Sequence, residues 1–114
     1  MKAVFILNSR VPALVSWFFP VAAIALWPFV FVRKGYDTPR LIAHEAIHIK
    51  QYNELFVVGF LVLYLYDWVI GLRKYRSTQA AYKQIRFEQE ARAGESDPEY
   101  PNTRERFAWR SFKV

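Results

Sequence analysis

The chain predicts an α+β domain, mainly α, and three observations carry that class. Asp37-Thr38-Pro39 offers capping side chains followed by a proline at the first helical position, where its missing N–H is no loss, so a helix starts here and runs past Tyr52. Apolar residues then recur at helical spacing, at Phe56, Phe60, Leu63, Tyr64 and Trp68, and again at Ala80, Ala81, Ile85 and Phe87. Ahead of these helices, Val21 to Val32 is rich in β-branched and aromatic residues and punctuated by proline, the pattern of a small β-ribbon near a sheet edge.

Each element has its own warrant. Residues 11–32 run for 22 positions without a charge, enough in length for a helix crossing about 30 Å of hydrocarbon. Pro20 and Pro28 would kink such a helix twice, so strand or hairpin is the preferred reading and a membrane segment the alternative. Leu55 to Leu72 is apolar except for Asp67, and a membrane helix would have to bury that carboxylate. A core helix whose Asp67 faces solvent or supports a nearby site is simpler. Ser77-Thr78 caps a further helix that runs towards Ala93 and ends at Gly94. Ser96-Asp97-Pro98 and Pro101-Asn102 mark loops, and Phe107-Ala108-Trp109 offers a last aromatic anchor.

A length of 114 residues suits one domain, residues 1–114, with a single modest core. The absence of cysteine excludes disulfides, thiolate metal sites and a cysteine nucleophile, so any metal must rest on histidine and carboxylate. Net charge is +6, but acidic residues interleave the later basic cluster and no nucleic-acid fold motif accompanies it, so nucleic acid is not the expected partner. Hydrophobic residues at 54 % and aromatics at 18 % hint instead at membrane or protein contact through 11–32 and 55–72. A cleavable secretory signal is not expected, because Arg10 and then three prolines interrupt the early apolar run.

The chain's two histidines stand in the pattern His44-Glu45-Ala46-Ile47-His48. On a helix of about 3.6 residues per turn the i, i+4 pair projects two imidazoles from one face, able to ligate one zinc at roughly 2.0–2.1 Å. Glu45 lies about 100° further round, free of the ion's inner sphere yet near enough to take a proton from the water the ion polarises. Catalytic zinc takes a third protein ligand. The carboxylates available later in the chain are Glu54, Asp67, Glu88, Glu90, Glu95, Asp97, Glu99 and Glu105. Glu54 points to another face of the same helix, and Asp67 fits better as an acceptor for a histidine N–H. Phe87-Glu88-Gln89-Glu90-Ala91 places two carboxylates on a later helix beside a small residue that permits close approach. Glu88 and Glu90 point about 200° apart, so only one of them can serve.

With these motifs the chain resembles the gluzincins, metallopeptidases in which a glutamate on a later helix completes His-Glu-x-x-His. In several gluzincin families that glutamate stands three before an alanine, often with aspartate next; Glu88 and Ala91 fit, while Arg92 stands where the aspartate is common. The chain is also similar to small metallopeptidase-like proteins of bacteria and tailed phages. The shared features are Trp27-Pro28-Phe29-Val30-Phe31-Val32, His44 to Gln51, Glu54-Leu55, Phe87 to Ala91 and Arg106-Phe107-Ala108-Trp109, over about residues 21–112. The resemblance implies a zincin-like pair of helices, one carrying the histidines and one the glutamate, with zinc held by His44, His48 and Glu88. It implies peptide-bond hydrolysis with Glu45 as the base, and substrate pairing along an edge strand at Ala25 to Val32. An oxyanion donor would come from Tyr64, Tyr66, Tyr75, Tyr82 or Arg86. A cytoplasmic or virion-associated location is expected, with membrane association the alternative.

Two rival expectations stand beside this one. Membrane-embedded zinc proteases complete the same motif with an aspartate of a later membrane segment, which here falls to Asp67; Lys50, Gln51, Asn53 and Glu54 directly after the motif oppose that burial. A non-catalytic zinc-binding structural protein, associated with a virion or envelope, would need no substrate cleft in so small a domain.

Overall fold

The computed structural model describes residues 4–10, 12 and 23–114. The architecture is α+β, mainly α: strands β1 (Val4–Ser9), β2 (Ala23–Leu26) and β3 (Phe29–Arg33) precede helices α1 (Pro39–Tyr75), α2 (Thr78–Gln84), α3 (Arg86–Gly94) and α4 (Tyr100–Thr103), and a 3-10 turn at Ala108–Ser111 follows. The expected ribbon is the hairpin β2–β3, paired antiparallel from Ala23↔Val32 to Leu26↔Phe29 around Trp27-Pro28. Residues 11 and 13–22 of the apolar run lie outside the described residues, so the choice between strand and membrane segment is answered only for 23–33.

β1 is an addition to the sequence reading. It pairs parallel with β3, giving the order β1-β3-β2. That order corrects the expectation of one exposed edge at Ala25 to Val32: β3 is the central strand, and of the two hairpin strands only β2 lies at an edge. Alternation along β3 buries Val30 and Val32 completely, where they join Ile49, Tyr52, Phe60, Ile85, Phe87 and Trp109 in the core.

α1 begins as its sequence requires, with Thr38 Oγ1 accepting from the Leu41 amide at 3.2 Å and Pro39 in the first turn. It is not one straight rod. Phe56, at φ 57° and ψ 168°, breaks it into limbs 39–55 and 57–75. The second limb folds back so that Phe60 stacks on Tyr52 of the first at 3.8 Å and on Phe87 of α3 at 4.6 Å. Further along, Gly71 lets α2 approach closely, since a Cβ there would stand 2.9 Å from the Ala81 Cα.

The single helix expected from Ser77 to Ala93 is two helices. Ser77 caps α2 as read, its Oγ accepting from the Ala80 amide at 3.2 Å, but Ile85 at ψ 129° interrupts the run. The interruption releases the Arg86 amide, which donates to Asp67 Oδ2 at 3.1 Å, while the Arg86 guanidinium grips both oxygens of the same carboxylate at 2.9 Å. Asp67 is therefore the cap of α3, supplied from the second limb of α1. A bidentate ion pair offsets the desolvation of a carboxylate that is only 1 % exposed.

Candidate metal centre

The first limb of α1 places His44 and His48 one turn apart, their ring centroids separated by 4.9 Å. α3 delivers Glu88 against both. His44 Nε2 lies 3.0 Å from Glu88 Oε1, and His48 Nε2 lies 3.1 Å from the same oxygen. The other carboxylate oxygen accepts from the Tyr64 hydroxyl at 2.9 Å. In a straight helix His48 and Tyr64 would stand about 24 Å apart. Both touch Glu88 only because the break at Phe56 turns the second limb back over the first.

The donor set fits a divalent ion. One ligand atom from each of His44, His48 and Glu88 lies within 4.8 Å of the other two. Ligand atoms around a tetrahedral ion with bonds of about 2.0–2.1 Å stand roughly 3.3 Å apart, close to the two imidazole–carboxylate separations of 3.0 and 3.1 Å. His48 Nδ1 donates to Gln51 Oε1 at 2.8 Å, which leaves Nε2 as the coordinating atom. Glu95 Oε2 lies 3.6 Å from His44 Nδ1, an ion-pair separation beyond hydrogen-bond reach, and 3.4 Å from Arg40 Nε. Glu45 and Glu88 bring two buried carboxylates to the two imidazoles, a charge that a dication balances.

No protein-family model, curated protein or solved structure significantly matches the chain. The reading of the centre therefore rests on its own geometry.

Glu90 is committed elsewhere. It is fully buried and held by Arg104, with Nε to Oε2 at 2.6 Å and Nη2 to Oε1 at 2.8 Å, while the Tyr100 hydroxyl donates to Oε2 at 3.1 Å. Gln51 Nε2 donates to Glu90 Oε1 at 3.0 Å and to the Phe87 carbonyl at 3.1 Å. A continuous chain of hydrogen bonds thus runs from Arg104 through Glu90 and Gln51 to His48. Glu54 is absent from the triad as expected, since it pairs with Arg104 at 3.0 Å and accepts from the Phe107 amide.

Three sequence expectations change here. Asp67 does not accept from a histidine; it caps α3. Arg86 is held on that carboxylate, with its guanidinium over Trp109, and so leaves the pool of oxyanion donors. Arg92, in the position where gluzincins commonly carry an aspartate, lies over the Tyr82 ring at 5.8 Å, and the residue that holds His48 from behind is Gln51. The signal for Gln51 was its place three residues after His48, on the neighbouring stripe of one helix. Arg104 had no local signal, being 14 residues from Glu90 and 50 from Glu54.

Burial shapes the electrostatics. It pushes the Glu45 carboxyl above its ordinary range, against the pull of His48 and His44 and with help from Glu88 and Glu95. Burial would raise Glu88 as well, but His48 and hydrogen bonds from both imidazoles hold it well below the usual carboxylate range. For His48 burial acts downward, and Glu88 overcomes it, pushing the imidazole up to about 9. Burial and Glu88 both raise the Tyr64 and Tyr82 phenols, so these two remain hydrogen-bond donors at neutral pH.

Side-chain exposure is 5 % at His48, 4 % at Glu88 and 14 % at His44, so the centre is most open past His44. A cleft of about 420 Å³ lined by Pro39, Ile42, Ala46, Ile49, Pro98 and Pro101 lies elsewhere. At about 100° per residue its lining positions on α1 face away from the histidines, so it does not open onto the triad.

Proposed function

We propose that this chain is a minimal zinc metallopeptidase of gluzincin type, with His44, His48 and Glu88 as ligands and Glu45 as general base. Glu45 carries the reading. A structural His-His-Glu site has no use for a further carboxylate buried beside it, and such burial costs stability unless the group has a task. A carboxyl whose affinity for protons is raised by burial is matched to taking and returning one.

Bound zinc would supply Lewis acidity, polarising the attacking water and the scissile carbonyl. Glu45 takes the proton from that water and later passes it to the leaving amine. Glu88 is held in place by Tyr64, and Tyr64 and Tyr82 are the phenols close enough to the centre to donate towards developing negative charge. Tyr66 and Tyr75 are solvent-exposed side chains and drop out of that role. β2 offers an edge for an extended peptide, although its Ala25 carbonyl already accepts from the Tyr52 hydroxyl at 2.9 Å.

The burial of His48 and Glu88 favours a second reading, a structural ion in a non-catalytic, virion- or envelope-associated protein. Glu45→Gln separates the two. The peptidase reading expects hydrolysis of a diverse peptide library by the zinc-loaded parent, and a fall of about 10²–10⁴-fold in the variant with zinc content and fold retained. Zinc-loaded parent that cleaves nothing leaves the structural reading; a variant as active as the parent overturns Glu45 as the base.

A further inference from the structure

The second limb of α1 has two apolar faces, and among the described residues only one is packed. Phe60, Asp67 and Gly71 face the core and the helices α2 and α3. On the other side Val58, Leu61, Val62, Leu65 and Val69, headed by Phe56, are 43 to 81 % exposed. Their spacing of i, i+3, i+4, i+7 and i+11 is one straight stripe, about 17 Å long. A soluble helix carries polar groups there.

We propose that this stripe docks the protein on an anionic lipid surface, with the limb lying along the bilayer rather than crossing it. The mean hydropathy of the limb's apolar window, 2.1, and its length would permit a crossing. Crossing would strip α2 from Gly71 and expose to lipid the Asp67 carboxylate that caps α3. Lying flat keeps both contacts and buries only the stripe.

Charge selects lipid as the occupant. The helix continues past the stripe into exposed Arg73 and ends at exposed Arg76, basic groups matched to anionic headgroups, while Lys74 lies on the opposite side and donates to the Val114 carbonyl. Tyr66 and Tyr75, also exposed, provide amphipathic rings of the kind that settle at the headgroup level. Two copies of the chain packed through the stripe would bring no acidic partner to these basic groups, because Asp67 is the limb's single carboxylate and is buried.

Flotation of the full chain with vesicles tests this. Vesicles of phosphatidylcholine mixed with phosphatidylglycerol should carry the parent protein upward, and vesicles of phosphatidylcholine alone should carry much less. Arg73→Gln combined with Arg76→Gln should lower partitioning into the mixed vesicles roughly tenfold or more. Leu61→Glu with Leu65→Glu should abolish it while helical content and zinc uptake persist, since both side chains are exposed. The parent measurement needs no variant: failure to float with anionic vesicles overturns the proposal. So does a parent that sediments as a dimer, binds neither vesicle and becomes monomeric in the Leu61→Glu, Leu65→Glu variant, which would make the stripe a contact between copies.

Discussion

His48 reaches the centre with its tautomer already chosen. Gln51 Oε1 accepts a hydrogen bond from Nδ1–H, and the Gln51 amide is in turn held by the Phe87 carbonyl and Glu90, so the imidazole has one orientation. Gln51→Ala is expected to lower zinc affinity about 10–100-fold without removing a ligand, measured by competition with a chelating dye. In the metal-free protein Glu88 pushes His48 up to about 9, so the imidazole is protonated at neutral pH. Zinc binding should then release close to one proton per chain at pH 7, read from the buffer dependence of the binding heat, and affinity should rise with pH until about pH 9. The same shift sets the stability of the metal-free fold. A group raised from 6.5 to about 9 stabilises fully below 6.5, and that contribution is lost as pH climbs through 9. Denaturation midpoints of metal-free protein should fall across this window, and those of zinc-loaded protein should not.

Two helix breaks build the centre at the level of elements. Phe56 holds a backbone conformation that glycine adopts freely and other residues only under strain. Phe56→Gly should raise unfolding stability by about 1 kcal/mol in urea titrations, provided the fold-back it permits is retained. The break at Ile85 depends on Asp67. Removing that carboxylate leaves the Arg86 guanidinium and the first amide of α3 without their acceptor, so Asp67→Ala should cost about 3 kcal/mol and disturb the placement of Glu88. Helix starts at Pro39 and Thr78 were legible because capping chemistry is local, written in Thr38 and Ser77. The breaks were not, because Phe56 and Ile85 carry no local signal and yield to packing between elements distant in sequence. β1 was missed for the same reason: its pairing with β3 is non-local.

Across the whole molecule, the part of the centre written on one helix was readable and the part made by tertiary folding was read only in outline. His44, Glu45 and His48 follow from helical periodicity. Glu88 and Glu90 could not be separated by helical geometry alone; Arg104, brought from beyond α4, separates them by taking Glu90. The C-terminal segment thus acts on the centre from a distance. Among the described residues one flank of α1 stays apolar and exposed, the flank assigned above to a lipid surface. The central claim is that His44, His48 and Glu88 hold one zinc ion. Equilibrium zinc titration of the full chain tests it most directly, with Glu88→Gln and Glu90→Gln run beside the parent. One ion per chain in the parent, retained in Glu90→Gln and lost in Glu88→Gln, is the predicted result; a Glu88→Gln variant that binds zinc as tightly as the parent would contradict it.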